Sequence, residues 1–287
     1  MPELPEVEIL VRHLAPLVKS RTIQGVEIRR PRVLGPTPAT EITQALNGAR
    51  FTHLIRRGKF LLFSLRSAAD REPILLVGHL GMTGRMYLLP HSAELPKHAA
   101  VVLDLGRHNF VYEDPRYFGR LTLDRSSLNR LGPEPLDPEF TVANFAADLR
   151  KSAQAIKIKL LDQSLVAGVG NIYASEALFR AGISPRIAAR RLKPDQIERL
   201  HTAIREVLTA AIDAGSTLPL DFAGDTPNRN RNRLFYYGAA GPDSGFYQER
   251  LQVYDRADAP CVRCATPIRR LIQAARSTFF CPQCQRK

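Results

Sequence analysis

The sequence has no tryptophan, no apolar run near the roughly 18 residues that cross a bilayer, and no internal repeat or low-complexity stretch. A membrane-spanning helix and a repeat array are thereby excluded. The opening residues lack the basic-then-apolar layout of a secretory leader, so the chain is expected to stay in the cytoplasm. Hydrophobic residues at 44% and aromatic residues at 7% are ordinary for a globular chain, which sets disorder aside. With 287 residues there is material for two domains, or two and a small appendage.

Negative charge is also in short supply. Asp and Glu total 28 against 41 Lys and Arg, a net charge of +13. Half that surplus would keep a protein soluble, so a polyanionic partner is implied, and nucleic acid is the commonest. The excess is uneven: Cys261 to Lys287 holds six basic residues and no acidic one.

From Pro5 onward, Val7, Leu10, Val11, Leu14, Leu17 and Val18 fall on one helical stripe, with Glu6 and Glu8 in the first turn. Strand-like runs follow in "TIQGVEIRR", "KFLLFSLR", "ILLVGHLGMTGRMYLL", "AAVVLDLG" and "NFVYED", with "GRHN" as a hairpin connection. The proline-bearing "LGPEPLDPEF" reads as a linker. Helical patterns then take over in "FAADLRKSAQAIKIKLLDQ", "NIYASEALFRAG" and "PDQIERLHTAIREVLTAAIDAG", the last with Pro194 inside its start and Gly215 past its end. The glycine-containing turn "SLVAGVGN" separates the first two.

All four cysteines lie near the end, as Cys261-x2-Cys264 and Cys281-x2-Cys284 with sixteen residues between the pairs. Thiolates at this spacing suit one tetrahedral Zn2+, the long spacer forming a hairpin that brings the pairs together. Two disulfides are disfavoured in a reducing cytoplasm, and a redox motif needs only one pair. Four thiolates close the coordination sphere, so the expected metal is structural. Arg276, inside the spacer, is expected to present its guanidinium to phosphate rather than merely to solvent.

Several motifs agree at this point. "MPELPEVE", "RRGKF", "GHLGMTG", "DPRYFG", "LLDQSLVAGVGNIYASEALF" and "RSTFFCPQC" together resemble the bacterial formamidopyrimidine-DNA glycosylases, whose fold the endonuclease VIII enzymes share. The resemblance covers nearly the whole chain. It implies an α+β protein: an N-terminal β-sandwich with a flanking helix (1–130), a helix–two-turn–helix domain (131–245), and a C-terminal zinc hairpin (246–287). A monomer binding double-stranded DNA that contains oxidised bases, between its domains, is expected in the nucleoid-bearing cytoplasm, with no membrane partner.

The resemblance also assigns roles. Removal of Met1 would leave Pro2 as a free secondary amine, partly neutral near pH 7, able to attack C1′ and form an iminium that is cationic without protonation. Glu3 resembles the family's acid, donating to the sugar ring oxygen, a role that calls for burial or a neighbouring negative charge. Glu6 is a supporting residue, in a position where Glu also simply suits a helix start. Lys59 matches the family's lysine near the lesion phosphate, which is implicated in the β-elimination step. Asn171, at a helix start, and Arg276 would clamp the backbone around an extruded nucleotide. His98 and Lys157 match DNA-contact positions. Met82, Arg116 and Phe118 match the residues that fill the gap left by a flipped base; without the resemblance, Met82 and Phe118 read as core.

Two features depart from the family pattern. Residues 223–244, with "NRNRNRLFYY", are longer than expected and are either a solvated insertion or an enlarged lid that alters lesion choice. "AIKIKLL" lacks a proline after its lysine. The expected activity is excision of oxidised purines, 8-oxoguanine and formamidopyrimidines, with strand cleavage through Pro2. The alternatives are the same chemistry on oxidised pyrimidines, or a catalytically silent binder of damaged DNA.

Overall fold

In the computed structural model, the described residues are 2–67, 73–214 and 251–286, so the long segment at 223–244 and Gly215 lie outside them. The chain divides into two compact units. Among the described residues, the first holds Pro2 and Glu6–Asn129, and the second holds Glu3–Pro5, 130–214 and 251–286.

Helix α1 (Leu4–Val18) begins with Pro5 in its first turn, where a missing N–H leaves nothing unsatisfied. Its stripe of Val7, Leu10, Val11, Leu14 and Val18 is buried in the first unit's core, with Leu17 half-buried. Strands β1 (Gly25–Ile28), β2 (Arg50–Arg57), β3 (Phe60–Arg66), β4 (Pro73–His79), β5 (Arg85–Pro90), β6 (Ala99–Asp104), β7 (His108–Glu113) and β8 (Arg120–Thr122) form two four-stranded sheets. Their orders are β1-β6-β7-β5 and β2-β3-β4-β8, each neighbour antiparallel. Phe51, Phe63 and Phe110 meet in the core, with ring centres 5.5–6.5 Å apart. This is the expected sandwich, and "GRHN" does connect β6 to β7.

The sequence reading missed β2, β8 and helix α2 (Ala39–Leu46). In "RFTHLIRR", three arginines and a histidine mask a strand whose buried residues are only Phe51 and Leu54.

The second unit contains α3 (Val142–Arg150), α4 (Ile156–Lys159), α5 (Asn171–Ala181), α6 (Pro194–Asp213) and the hairpin of β9 (Arg269–Gln273) and β10 (Arg276–Phe280). The expected single helix across "FAADLRKSAQAIKIKLLDQ" is broken. Residues after Arg150 turn their amides and carbonyls to another segment: Ile156 N–H donates to Ile187 O (2.7 Å), while Gln154 O and Ser152 O accept from Ala189 and Arg190. Those bonds replace the intrahelical ones. Helix α5 ends at Gly182, whose φ of 69° suits glycine. The α6 stripe of Ile197, Leu200, Ile204, Val207, Leu208 and Ala211 is buried.

Candidate active site and zinc hairpin

In the second unit, the turn "SLVAGVGN" is wound around one side chain. Gln163 Nε2 donates to Leu161 O (3.0 Å) and Val169 O (2.8 Å), and its Oε1 accepts from Gly168 N–H (2.9 Å). Gly168, at φ +87°, accepts at its carbonyl from Leu4 N–H, and a β-carbon there would strike the Leu4 side chain at 2.6 Å. The turn therefore seats the start of α1 and aims the residue before it.

That residue is Glu3, which is 2% exposed. Its carboxylate accepts from Ile172 N–H (2.8 Å) and Tyr173 N–H (3.3 Å), two of the amides that α5 leaves unpaired at its N-terminus. Asn171, the first residue of α5, accepts from Lys157 Nζ at 2.5 Å and donates through Nδ2 to Ser277 O on β10 (2.9 Å). Lys157 is fully buried, and that burial pulls its ammonium down to about 8, with Glu3 opposing the shift and Arg276 adding to it. Arg276 itself is exposed at the start of β10. Glu3, Lys157 and Asn171 are thus gathered at one helix end, with the strand carrying Arg276 tied to them through Asn171.

Glu176 was not singled out from the sequence. It is 4% exposed on α5 and accepts from the amides of Gln252 (2.9 Å), Val253 (2.9 Å) and Tyr254 (2.8 Å), while burial pushes its carboxyl upward. Tyr254 in turn packs edge-on against Phe279 of β10, ring centres 5.2 Å apart.

In the first unit, Lys59 sits in the two-residue turn between β2 and β3, only 6% exposed, after Gly58 at φ +56°. His79 lies beside it, its ring tilted against Phe60 with centres 4.8 Å apart, and accepts at Nδ1 from Gly81 N–H (3.1 Å). Burial, with Lys59 and Arg120 nearby, lowers its pKa to about 4, so it is a neutral acceptor. Glu6 is buried.

Met82 and Phe118 are 44% and 50% exposed, which overturns their reading as core residues. They stand on two turns locked together by Asp114. That fully buried carboxylate accepts from Thr83 Oγ1 (2.6 Å), Arg116 N–H (3.1 Å) and Gly119 N–H (2.8 Å). Gly81 completes the lock, since a β-carbon on it would lie 2.5 Å from Gly119 N. Arg116 lies over the Phe118 ring at 4.7 Å. His98 is half-buried, and its carbonyl accepts from Asp114 N–H (3.2 Å). Asp114 and His79 lie inside the quoted motifs, yet no spacing rule marks a lone buried Asp or His.

The four cysteines are free thiols whose Sγ atoms all lie within 4.8 Å of one another. Cys261–Cys284 is 3.9 Å and Cys264–Cys281 is 3.5 Å. A tetrahedron with Zn–S bonds of about 2.3 Å has edges of about 3.8 Å, so the set fits zinc and not a pair of disulfides. Cys261 and Cys281 are buried with Phe179, Val253, Ile268 and Phe279 in one small core, so a metal held by the four thiolates would tie both ends of the hairpin to it.

A basic hairpin carrying a closed set of four thiolates defines, in the second unit, a zinc-finger module of the kind that binds nucleic acid. The comparisons with known proteins go further. Family models match for the formamidopyrimidine-DNA glycosylase N-terminal domain (residues 1–121), its H2TH domain (131–220) and the zinc finger found in FPG and IleRS (259–286). The formamidopyrimidine-DNA glycosylase of Desulfitobacterium hafniense is 41% identical over 292 residues, covering 99% of this chain and all of the relative. A mutant Lactococcus lactis FPG bound to Fapy-dG-containing DNA superposes with a TM-score of 0.85 at 34% identity, each chain fully covered. The wild-type L. lactis protein bound to DNA containing an oxidised pyrimidine gives 0.84 at 32%, again with both chains fully covered. The chain belongs to the formamidopyrimidine-DNA glycosylase family, enzymes that join glycosylase to abasic-site lyase activity.

Proposed function

We propose that this enzyme removes oxidised purines, 8-oxoguanine and formamidopyrimidines, from double-stranded DNA and cleaves the resulting abasic strand by β/δ-elimination. The observation that carries the mechanism is the Glu3 carboxylate, buried at the N-terminus of α5 and directly following Pro2. With Met1 removed, the Pro2 amine adds to C1′ as the C1′–N bond to the damaged base breaks and the base leaves with a proton. Glu3 gives a proton to the ring oxygen, the sugar opens, and the nitrogen lone pair completes a cationic iminium. That charge acidifies C2′. Loss of its proton breaks the C3′–O bond, and a second elimination breaks C5′–O.

Lys59, Lys157, Asn171 and Arg276 hold the phosphates in this reading, and Met82, Arg116 and Phe118 fill the space of the flipped nucleotide, with Glu6 and His98 in support. Residues 1–130, 131–245 and 246–287 divide the labour into chemistry, helix-turn binding and hairpin binding. The enzyme acts as a monomer in the nucleoid-bearing cytoplasm.

The test is borohydride trapping on a duplex carrying 8-oxoguanine opposite cytosine, with the crosslinked peptide sequenced by mass spectrometry. An adduct on Pro2 is expected. An adduct on any lysine would overturn the nucleophile, and bound DNA with no adduct would return the silent-binder reading. Excision of oxidised pyrimidines is the second reading, favoured by the L. lactis complex with such DNA. Competition between the two lesions in one tube ranks them.

A further inference from the structure

At the base of the zinc hairpin, away from the turn that carries Arg276, three arginines face one cavity of about 260 Å³. Arg186 comes from the segment after α5, Arg269 opens β9, and Arg286 follows the last cysteine pair; Ser184, Phe280, Pro282 and Gln285 complete the lining. Among the described residues, no acidic side chain lines it.

The cavity is built rather than incidental. Arg186 lies over the Phe280 ring at 5.3 Å, which fixes the guanidinium's plane. Phe280 is paired in register with Arg269, so the two side chains leave the hairpin on one face, and both line the cavity. Gln285 is 2% exposed and forms the floor: its Nε2 donates to Ile183 O (2.9 Å) and its Oε1 accepts from Cys281 N–H (2.8 Å). Three exposed guanidiniums bordering one cavity with no carboxylate in its lining repel one another through solvent, and a bound anion turns that repulsion into attraction. Arginine's planar fork suits phosphate oxygens in particular.

We infer that Arg186, Arg269 and Arg286 form a second phosphate site, separate from the one assigned to Asn171 and Arg276. Four residue steps along β10 separate Arg276 from Phe280, and hence from the Arg269 level. At about 3.3 Å per step that is about 13 Å, the axial length of roughly four nucleotides on one strand. The site therefore takes a backbone phosphate well outside the lesion, and the inference rests on the DNA-binding reading above. A free phosphate ion satisfies the same chemistry.

The test uses the full chain, wild type and Arg186→Gln/Arg269→Gln, both checked for one bound zinc and an unchanged melting temperature. Affinity for a long duplex with a tetrahydrofuran abasic analogue is measured across KCl concentrations. Losing one phosphate contact lowers the log–log salt slope by about 0.9 and weakens binding about five- to tenfold at low salt. On the same long duplex with neutral methylphosphonate linkages about four nucleotides from the analogue, the two proteins then bind alike. If the slope is unchanged but millimolar inorganic phosphate, at matched ionic strength, raises the melting temperature of wild type alone, the site holds a free anion. Equal slopes and equal response to phosphate overturn it. Failure of the wild type itself to bind the long duplex would count against the DNA reading, whereas equal binding of the long duplex by both proteins, with equal response to phosphate, counts only against this site.

Discussion

Glu3 and Gly170 share a space that only a glycine leaves open: a β-carbon at residue 170 would lie 2.3 Å from the Glu3 carboxyl carbon. The carboxylate is held on its far side by the amides of Ile172 and Tyr173, so it has nowhere to retreat without losing them. Gly170→Ala therefore expels Glu3 from the end of α5. Single-turnover excision is expected to fall by about 10²–10⁴-fold, the usual worth of a positioned acid, for roughly 1 kcal/mol of stability. Excision within a few-fold of wild type would show that Glu3 acts from elsewhere.

Lys157 ties stability to pH. Its pKa falls from an ordinary 10.5 to about 8 on folding, so between these values the unfolded chain holds a proton that the folded one has released. Stability contributed by this group is full above 10.5 and is lost as pH falls through 8. Lys157→Met removes the linkage. Denaturant titrations should find the difference in stability between wild type and variant shifting by about 3 kcal/mol in favour of wild type from pH 7 to 10.5. A pH-independent difference would mean the lysine is not desolvated.

Met82 and Phe118 separate exposure from function. Because both are about half exposed, Met82→Ala and Phe118→Ala should each change stability by less than about 0.5 kcal/mol, where core truncation costs 2–5. Affinity for an abasic-analogue duplex should nevertheless drop at least about tenfold, since a wedge in a base step is lost. Unimpaired binding would leave these side chains without a role in the gap.

Metal removal should unfold one part only. One zinc per chain is expected by elemental analysis, and Cys281→Ala, which deletes a fully buried thiolate, should abolish it. Structural zinc contributes about 10–16 kcal/mol in small fingers, far beyond what the hairpin's few apolar contacts supply. DNA binding should vanish while the strand signal of the sandwich persists in circular dichroism. Retained binding without zinc would contradict the assignment.

The turn preceding Arg276 is strained. Ala274 and Ala275 take φ of 47° and 59°, the left-handed values of a two-residue hairpin turn that favours Asn-Gly. An alanine there costs roughly 1–2 kcal/mol. Ala274→Asn with Ala275→Gly should stabilise the hairpin by about that amount and slow zinc loss to a chelator. Unchanged zinc release would place the strain elsewhere.

Legibility in the sequence followed chemistry that repeats. The α1 and α6 stripes, the cysteine spacing and the central strands carry periodic signals, and they folded as read. Where the pattern was local but the decision was not, reading failed: the segment after Arg150 has helical residues, yet its backbone pairs with 187–190. Asp114 and Glu176 organise loops through groups remote in sequence, Gln163 and His79 through nearby amides and carbonyls, and in each case one polar residue leaves no periodic trace. Glu3 and Gly170 lie far apart in the chain, so their fit could be seen only in three dimensions.

Glu176 has a consequence for how such a chain can change over generations. The described chain resumes at Leu251, and the next three amides are clasped at once by that one carboxylate on α5. On the other side, α6 runs to Asp213 with its apolar stripe buried against the same core. Both margins of the stretch between are therefore anchored independently of its length. A change in the number of residues between those margins thus leaves the three clasped amides and the buried stripe of α6 as they are, and the zinc hairpin keeps its hold on α5.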